Sequence, residues 1–132
     1  MKQMASVIRS HFPRQLKKRL PRKIRVVSIE PGRSRILNKI YRGRDLPTNV
    51  LSFRYDSEYG EIFLCPSVIR KEARASGNSI RAQTAWMIIH AMIHLAGIHH
   101  ERSRRDEARA RALEENILHI FASSKKHRQK QG

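Results

Sequence analysis

HAMIHLAGIHH, residues 90–100, holds four of the chain's seven histidines. On a helix, His90 and His94 leave the same face one turn apart, so two imidazoles can reach one metal ion. Gly97 tolerates the positive φ that a helix end requires, and His100 follows just beyond that turn. Three neutral imidazoles with an open fourth position form the ligand set of a catalytic zinc site. The stretch therefore predicts a helix that carries metal ligands near its C-terminal end.

The same stretch matches the zinc-peptidase signature His-Glu-x-x-His-x-x-Gly-x-x-His at its three histidines and its glycine. The glutamate that serves as the peptidase's general base is replaced by Ala91. The metal scaffold is therefore present while the base of a peptidase is absent. His99 is a candidate base because histidine titrates near neutral pH, and metal hydroxide is the alternative. A third possibility is that His99 is a solvent-facing residue at the helix end.

Composition indicates a small, strongly basic domain. The chain has 132 residues, of which 39% are hydrophobic, enough for one core. Its 28 Lys and Arg residues exceed its 11 Asp and Glu residues and give a net charge of +17, which favours a nucleic-acid partner. The chain has neither a membrane-spanning apolar run nor a signal-peptide pattern, so we expect a cytoplasmic protein without a membrane partner. The single cysteine, Cys65, is expected to be a small buried residue at a strand end.

Periodicity predicts an α/β (α+β) fold with a small mixed sheet of three or four strands and four to five helices. The predicted strands are 23–30, 49–55 and 61–64. The predicted helices are 4–19 (interrupted near Pro13), 34–41, 66–76, 80–96 and a last one after Ser103. The helix over 80–96 is apolar on nearly every side, which places it in the middle of the protein. Residues 1–122 are expected to form one catalytic domain, followed by a basic, disordered tail over 123–132.

A second motif, RGRDLPTNVLSF at residues 42–53, resembles the YbeY family of bacterial endoribonucleases when taken with the histidine stretch. The family pattern has Leu-Asn, then Arg-Gly, then Asp-x-Pro-Thr-Asp-Val-Leu-Ser-Phe, and later Gly-Asp/Glu-Ile. Its counterparts here are Leu37-Asn38, residues 42–53 and residues 60–62. The family's metal motif, His-Gly-x-Leu-His-Leu-x-Gly-Tyr-Asp-His, is similar to residues 90–100. The resemblance extends over most of the chain, from Ile24 to Phe121.

Four positions depart from the family pattern. Asn49 stands where the family has aspartate, Ala91 where it has glycine, and Ile98-His99 where it has Tyr-Asp. None of these changes removes a metal ligand. The histidine at position 99 alters the surroundings of the metal and puts the details of proton transfer in question.

The resemblance implies a metal-dependent endoribonuclease that is specific for single strands. It implies roles in maturation of the 3′ end of the small-subunit ribosomal RNA and in ribosome quality control. It also implies one Zn²⁺ per chain, bound by His90, His94 and His100 on a zincin-like central helix. The expected partners are single-stranded RNA, ribosomal RNA and the ribosome or its small-subunit proteins.

Arginines and aromatic residues complete the predicted site. Arg42 is the predicted catalytic arginine, because a fixed guanidinium can stabilise a phosphoryl transition state. His99 is the second catalytic candidate. Solvated surface charge is the alternative for Arg42. Arg44 and Arg54 are predicted RNA-backbone contacts. Tyr41 and Trp86 could stack on bases, although Trp86 lies within the apolar helix and is expected in the core. Two other functions stay open: a zinc peptidase, or a non-catalytic RNA- or ribosome-binding protein with a structural metal.

Overall fold

The computed structural model describes residues 2–98 and 103–131, with nothing described of the side chains of residue 2 and residues 124–131. This part of the chain forms three strands and six helices. The strands are β1 (Lys23–Ser28), β2 (Val50–Arg54) and β3 (Tyr59–Leu64). The helices are α1 (Lys2–Ser10), α2 (Arg14–Lys17), α3 (Pro31–Arg42), α4 (Pro66–Ser76), α5 (Ile80–Leu95) and α6 (Arg104–Gln131).

The three strands form one mixed sheet in the order β1-β3-β2. β1 runs parallel to β3, with Lys23 opposite Tyr59, and β2 runs antiparallel to β3, with Val50 opposite Leu64. Side chains alternate across β3, so Ile62 and Leu64 are buried on the face that packs against α5. The predicted α+β class and the small mixed sheet are confirmed, and the sheet has three strands in the described residues.

The interruption predicted near Pro13 is present, and it divides the N-terminal region into two helices. α1 ends at Ser10 and α2 begins at Arg14, directly after Pro13 with φ −53°. Proline lacks an N–H to continue the ladder of α1, and its fixed φ suits the start of a new helix. Counting these as two helices gives six, where four or five were expected.

α6 continues further than the sequence indicates. Its backbone is helical as far as Gln131. The reason lies in the sequence: no proline or glycine interrupts residues 104–131, and the segment is rich in helix-forming residues. The disorder expected over residues 123–132 stays a prediction. The proposed division of the chain at residue 122 stays a prediction.

α5 lies at the centre of the fold, as its apolar composition predicts. It packs against α1, α4, α6, β2 and β3. Its N-terminus is capped by Ser79, whose Oγ accepts a hydrogen bond from the Ala82 N–H at 3.0 Å. Cys65 is buried and free, as expected. Within the part of the chain that the structure describes, none of the helices has both the length and the apolar character needed to cross a bilayer.

The C-terminus of α5 forms a Schellman motif. Gly97 has φ +87°, the Gly97 N–H donates to the His94 carbonyl at 2.9 Å, and the Ile98 N–H donates to the Ile93 carbonyl at 3.2 Å. The turn predicted at Gly97 is therefore present. It ends the helix within one turn of His94.

Candidate functional site

His90 and His94 face the same side of α5. Between Met87 and Ala96 they are the only residues that are not buried. Their spacing of one helical turn puts both imidazoles in one cleft, whereas the intervening Ala91, with 2% exposure, points into the core. The predicted juxtaposition of these two histidines is thus present in the structure.

Each imidazole is held through Nδ1 by a neighbouring element. The Nδ1–H of His90 donates to Oε1 of Glu114 on α6 at 2.5 Å, since a carboxylate can only accept. Nδ1 of His94 lies 3.2 Å from Oγ of Ser52 on β2. Both contacts fix the plane of the ring and leave coordination of an ion to Nε2. A carboxylate that orients a histidine in this way is the usual second partner of a metal-binding imidazole.

Glu114 is the functional residue that the sequence analysis missed. Only 5% of it is exposed, and Oε2 accepts a second hydrogen bond from Nε1 of Trp86 at 3.3 Å. Two N–H donors compensate the burial of this carboxylate. A signal was present in the sequence: Glu114 lies in the stripe Ala110, Glu114, Ile117 and Phe121, where helical spacing predicts an apolar residue. A carboxylate at a core position needs a polar partner, and His90 is that partner.

Trp86 differs from the expected core tryptophan. The residue is 37% exposed, and its indole N–H points at Glu114. Trp86 and His90 are four residues apart on α5, so they contact the same side chain of α6 from successive turns. The role of Trp86 in the structure is therefore to orient Glu114.

The cleft beside the two histidines has a volume of about 750 Å³. Arg42 and Arg44 line it together with His90 and His94. The two motifs singled out in the sequence therefore meet in space, although 36 residues, 54–89, separate them in the chain. Tyr41 also lines this cleft and is 62% exposed, which keeps a base-stacking role open to it.

The loop that carries Arg44 is bound to α3 by buried polar side chains. Ser34 Oγ donates to the Thr48 carbonyl at 2.8 Å and accepts from the Thr48 N–H at 2.9 Å. Asn38 Nδ2 donates to the Leu46 carbonyl at 2.8 Å. These bonds explain why Asn38 belongs to the motif: it fixes the loop that follows α3.

Asp45 secures the same loop from outside. It accepts a hydrogen bond from Arg35 Nε at 2.7 Å, and Lys39 Nζ lies 3.8 Å away. The hydrogen bond from Arg35 lowers the pKa of the Asp45 carboxyl. α3 ends at Arg42, and Gly43 follows with φ +72°. This left-handed residue turns the chain, so Arg42 and Arg44 lie on either side of the bend.

Arg54 does not line the cleft that holds the histidines. Its Nη1 donates to the Arg19 carbonyl at 2.6 Å and to the Leu95 carbonyl at 2.7 Å. It therefore ties the end of β2 to the C-terminus of α5 and to the turn that follows α2, where backbone carbonyls need donors. Arg54 also lines the neighbouring groove over the sheet, so its predicted contact to the RNA backbone stays a prediction.

His99 and His100 lie outside the described residues, so the third predicted ligand and the candidate base have no structural description. Among residues 2–98 and 103–131, no group of three histidine, cysteine or acidic side chains is placed to hold a metal ion. Of the three predicted ligands, His90 and His94 are the two that lie within the described residues.

Comparison with known proteins identifies the family. A family model described as Endoribonuclease YbeY matches residues 1–122. Proteins named Endoribonuclease YbeY are similar: the one from Burkholderia lata is 41% identical over 100 residues (72% of this chain, 57% of that protein). The one from Polaromonas sp. is 39% identical over 98 residues (72% of this chain, 62% of that protein). The chain thus spans little more than half the length of these curated relatives.

A solved structure supports the fold. The solution structure of TM1509 from Thermotoga maritima superposes with a TM-score of 0.66 at 22% identity, covering 99% of this chain and 89% of that one. The fold, the meeting of the two motifs in one cleft and the match over residues 1–122 agree with one another. The chain belongs to the YbeY family.

Proposed function

We propose that the chain is a metal-dependent endoribonuclease that cleaves single-stranded RNA. The observation that carries this proposal is the cleft that brings Arg42 and Arg44 beside His90 and His94. The name Endoribonuclease YbeY borne by its relatives supports the same activity. We extend the proposal to ribosomal RNA, with a role in 3′ end maturation of the small-subunit RNA and in ribosome quality control. The cytoplasm and the ribosome's small subunit are its proposed setting.

The donor set fits a zinc ion. His90 and His94 would hold one Zn²⁺ through Nε2, with His100 as the third ligand, because neutral imidazoles suit this metal. When bound, zinc supplies a Lewis acid for a phosphoryl oxygen and lowers the pKa of water. Glu114 and Ser52 keep the two described imidazoles in the required orientation through their Nδ1 contacts.

The arginines contribute the recognition of phosphate. Arg42, at the end of α3, is the proposed catalytic arginine, since a guanidinium fixed in a cleft stabilises the extra charge of a phosphoryl transition state. Arg44 is the proposed contact to the RNA backbone, where its planar fork matches a phosphate. His99 is retained as the proposed proton-transfer residue. Arg54 has a structural role through its two carbonyl contacts, and it stays a proposed contact to the RNA backbone.

Zinc-peptidase activity is disfavoured by position 91. A peptidase of this ligand pattern needs a carboxylate base directly after the first histidine, and Ala91 is a buried methyl group. The basic charge of the chain and the arginines in the cleft also match a phosphodiester better than a peptide.

The test compares one RNA sequence as a single strand and as a duplex, with casein as a protein substrate. We expect cleavage of the single strand only, its loss on chelation and its return with zinc. His94→Ala should abolish cleavage, whereas His119→Ala, an exposed histidine on α6, should leave it unchanged. Cleavage of casein without cleavage of RNA would refute the proposal in favour of a peptidase. Binding of RNA without cleavage under any metal would refute it in favour of a binding module.

A further inference from the structure

The sheet has a second face that carries aromatic side chains. Strand alternation puts Phe53 and Phe63 opposite to the buried face of Ile62 and Leu64. Phe53 and Phe63 contact edge to face, with ring centroids 5.6 Å apart. This face is only partly covered by α3, and a groove of about 640 Å³ lies over it.

Two tyrosines extend the aromatic face toward the β2–β3 turn. The rings of Tyr55 and Tyr59 are stacked, with centroids 5.7 Å apart and an interplanar angle of 20°. Both hydroxyls donate to Glu61, at 2.7 Å and 3.0 Å. The hydrogen bond to Glu61 raises the pKa of Tyr55 to about 12, so this phenol stays neutral in any ordinary buffer. The pair is thus a fixed, uncharged surface, and Tyr55 is 59% exposed.

The groove is continuous with the cleft that holds the histidines. Both cavities are lined by Tyr41, Ser52 and Phe53. The rings of Tyr41 and Phe53 contact edge to face, with centroids 4.8 Å apart. Ser52 is also the residue that contacts His94. A chain molecule lying in the cleft can therefore pass over Tyr41 and Phe53 onto the sheet.

The chemistry of the groove favours a nucleic-acid strand over a protein. Arg25 and Arg33 line it beside the aromatic rings, and the whole chain carries a net charge of +17. Cationic side chains that alternate with exposed rings match the alternation of phosphates and bases in a single strand. The single carboxylate of the groove, Glu61, accepts hydrogen bonds from the two tyrosines.

We propose that this aromatic face is a second RNA-binding site, on which unpaired bases outside the cleavage cleft stack while Arg25 and Arg33 contact phosphates. The inference rests on the proposed endoribonuclease function and adds to it a determinant of substrate length. From Ser52 to Tyr55 the strand advances by about 10 Å, which corresponds to roughly three stacked nucleotides. An RNA that reaches beyond the cleft by this length gains contacts that a shorter RNA lacks.

The test uses two single-stranded RNAs, one short enough to fill only the cleft and one extended by several nucleotides. The wild type should bind the extended RNA more tightly, and Tyr55→Leu should weaken that binding roughly 5- to 150-fold, the range that corresponds to loss of one stacked base. Tyr55→Phe keeps the ring and should keep the affinity. Both variants should bind and cleave the short RNA as the wild type does, which also shows that they are folded.

The same experiment separates this inference from the proposed function. Equal weakening of both RNAs by Tyr55→Leu, or weakening of neither, would overturn the second site. So would an extension of abasic nucleotides that binds as tightly as the normal one, because the gain would then be purely electrostatic. A wild type that cleaves neither RNA refutes the endonuclease proposal, while binding that depends on length and on Tyr55 would still support the aromatic site.

Discussion

Replacement of Glu114 by glutamine tests how the fold prepares His90 for a metal. The substitution keeps the size of the side chain and removes its charge. Oε1 lies 2.5 Å from Nδ1 of His90, and Oε2 lies 3.3 Å from Nε1 of Trp86. Both partners are N–H donors, and a glutamine offers only one acceptor oxygen for the two. One donor therefore loses its partner, or His90 rotates away from its place in the cleft.

The expected loss of metal affinity follows from the role of the orienting carboxylate. Removal of such a partner costs about 10- to 100-fold in affinity, which is about 1.4–2.8 kcal/mol. The apoprotein should also lose about 1–2 kcal/mol of unfolding free energy, because a buried charge-assisted hydrogen bond becomes a neutral one.

The assay is zinc competition against a chelating dye, combined with urea unfolding of the metal-free protein. Glu115→Gln is the matched control, since it makes the same change of charge at the next, exposed position of α6. Trp86→Phe removes only the longer of the two hydrogen bonds and should give the smaller effect. Unchanged zinc affinity in a folded Glu114→Gln protein would refute the orienting role. An equal loss in Glu115→Gln would assign the effect to net charge.

Three further changes probe the cleft and the helix end. Arg42→Lys keeps the charge but loses the planar fork, and we expect kcat on single-stranded RNA to fall by roughly 100-fold or more with little change in KM; an unchanged kcat would remove Arg42 from catalysis. Arg35 lowers the pKa of Asp45 in the folded protein. The Arg35–Asp45 pair therefore stabilises the loop fully above the unfolded-state pKa of aspartate, and this stabilisation is lost as the pH falls through the lower pKa of the folded state. In Asp45→Asn, the amide hydrogens of the loop should therefore exchange faster than in the wild type at neutral pH and at the wild-type rate in acid. Variant and wild-type rates that are equal at both pH values would contradict a stabilising role of the Arg35–Asp45 pair. Gly97→Ala should cost about 1–2 kcal/mol in urea unfolding because φ is +87°, whereas Gly32→Ala, with open space around the added methyl group, should cost less.

Local patterns were sufficient for the elements and for part of the site. The one-turn spacing of His90 and His94, the stop at Gly97 and the central position of α5 follow from helical geometry and from apolar composition. α4 likewise begins at Pro66 and ends before Gly77, as the fixed φ of proline and the left-handed φ of glycine require. In each case the deciding interactions lie within a few residues of the chain, so the sequence displays them directly.

Local sequence patterns did not predict the polar contacts between residues that are distant in the chain. Glu114 is separated from His90 by 24 residues, and its role depends on how α6 packs against α5. Arg54 appeared as a surface charge, yet its guanidinium binds two carbonyls that are adjacent to it only in the folded chain. The aromatic face was equally hidden, since Phe53 and Phe63 meet through the register of β2 against β3.

The sequence by itself determined that a helix with two histidines one turn apart and an arginine-containing motif exist, because residue type and helical or strand period express these features locally. Only the tertiary structure decided that the two motifs share one cleft, that a buried carboxylate orients the first histidine, and that a groove of aromatic rings continues from this cleft. The physical reason is that periodicity specifies which face of an element is apolar. The partner of each polar side chain is set by the packing of elements that are distant in the chain.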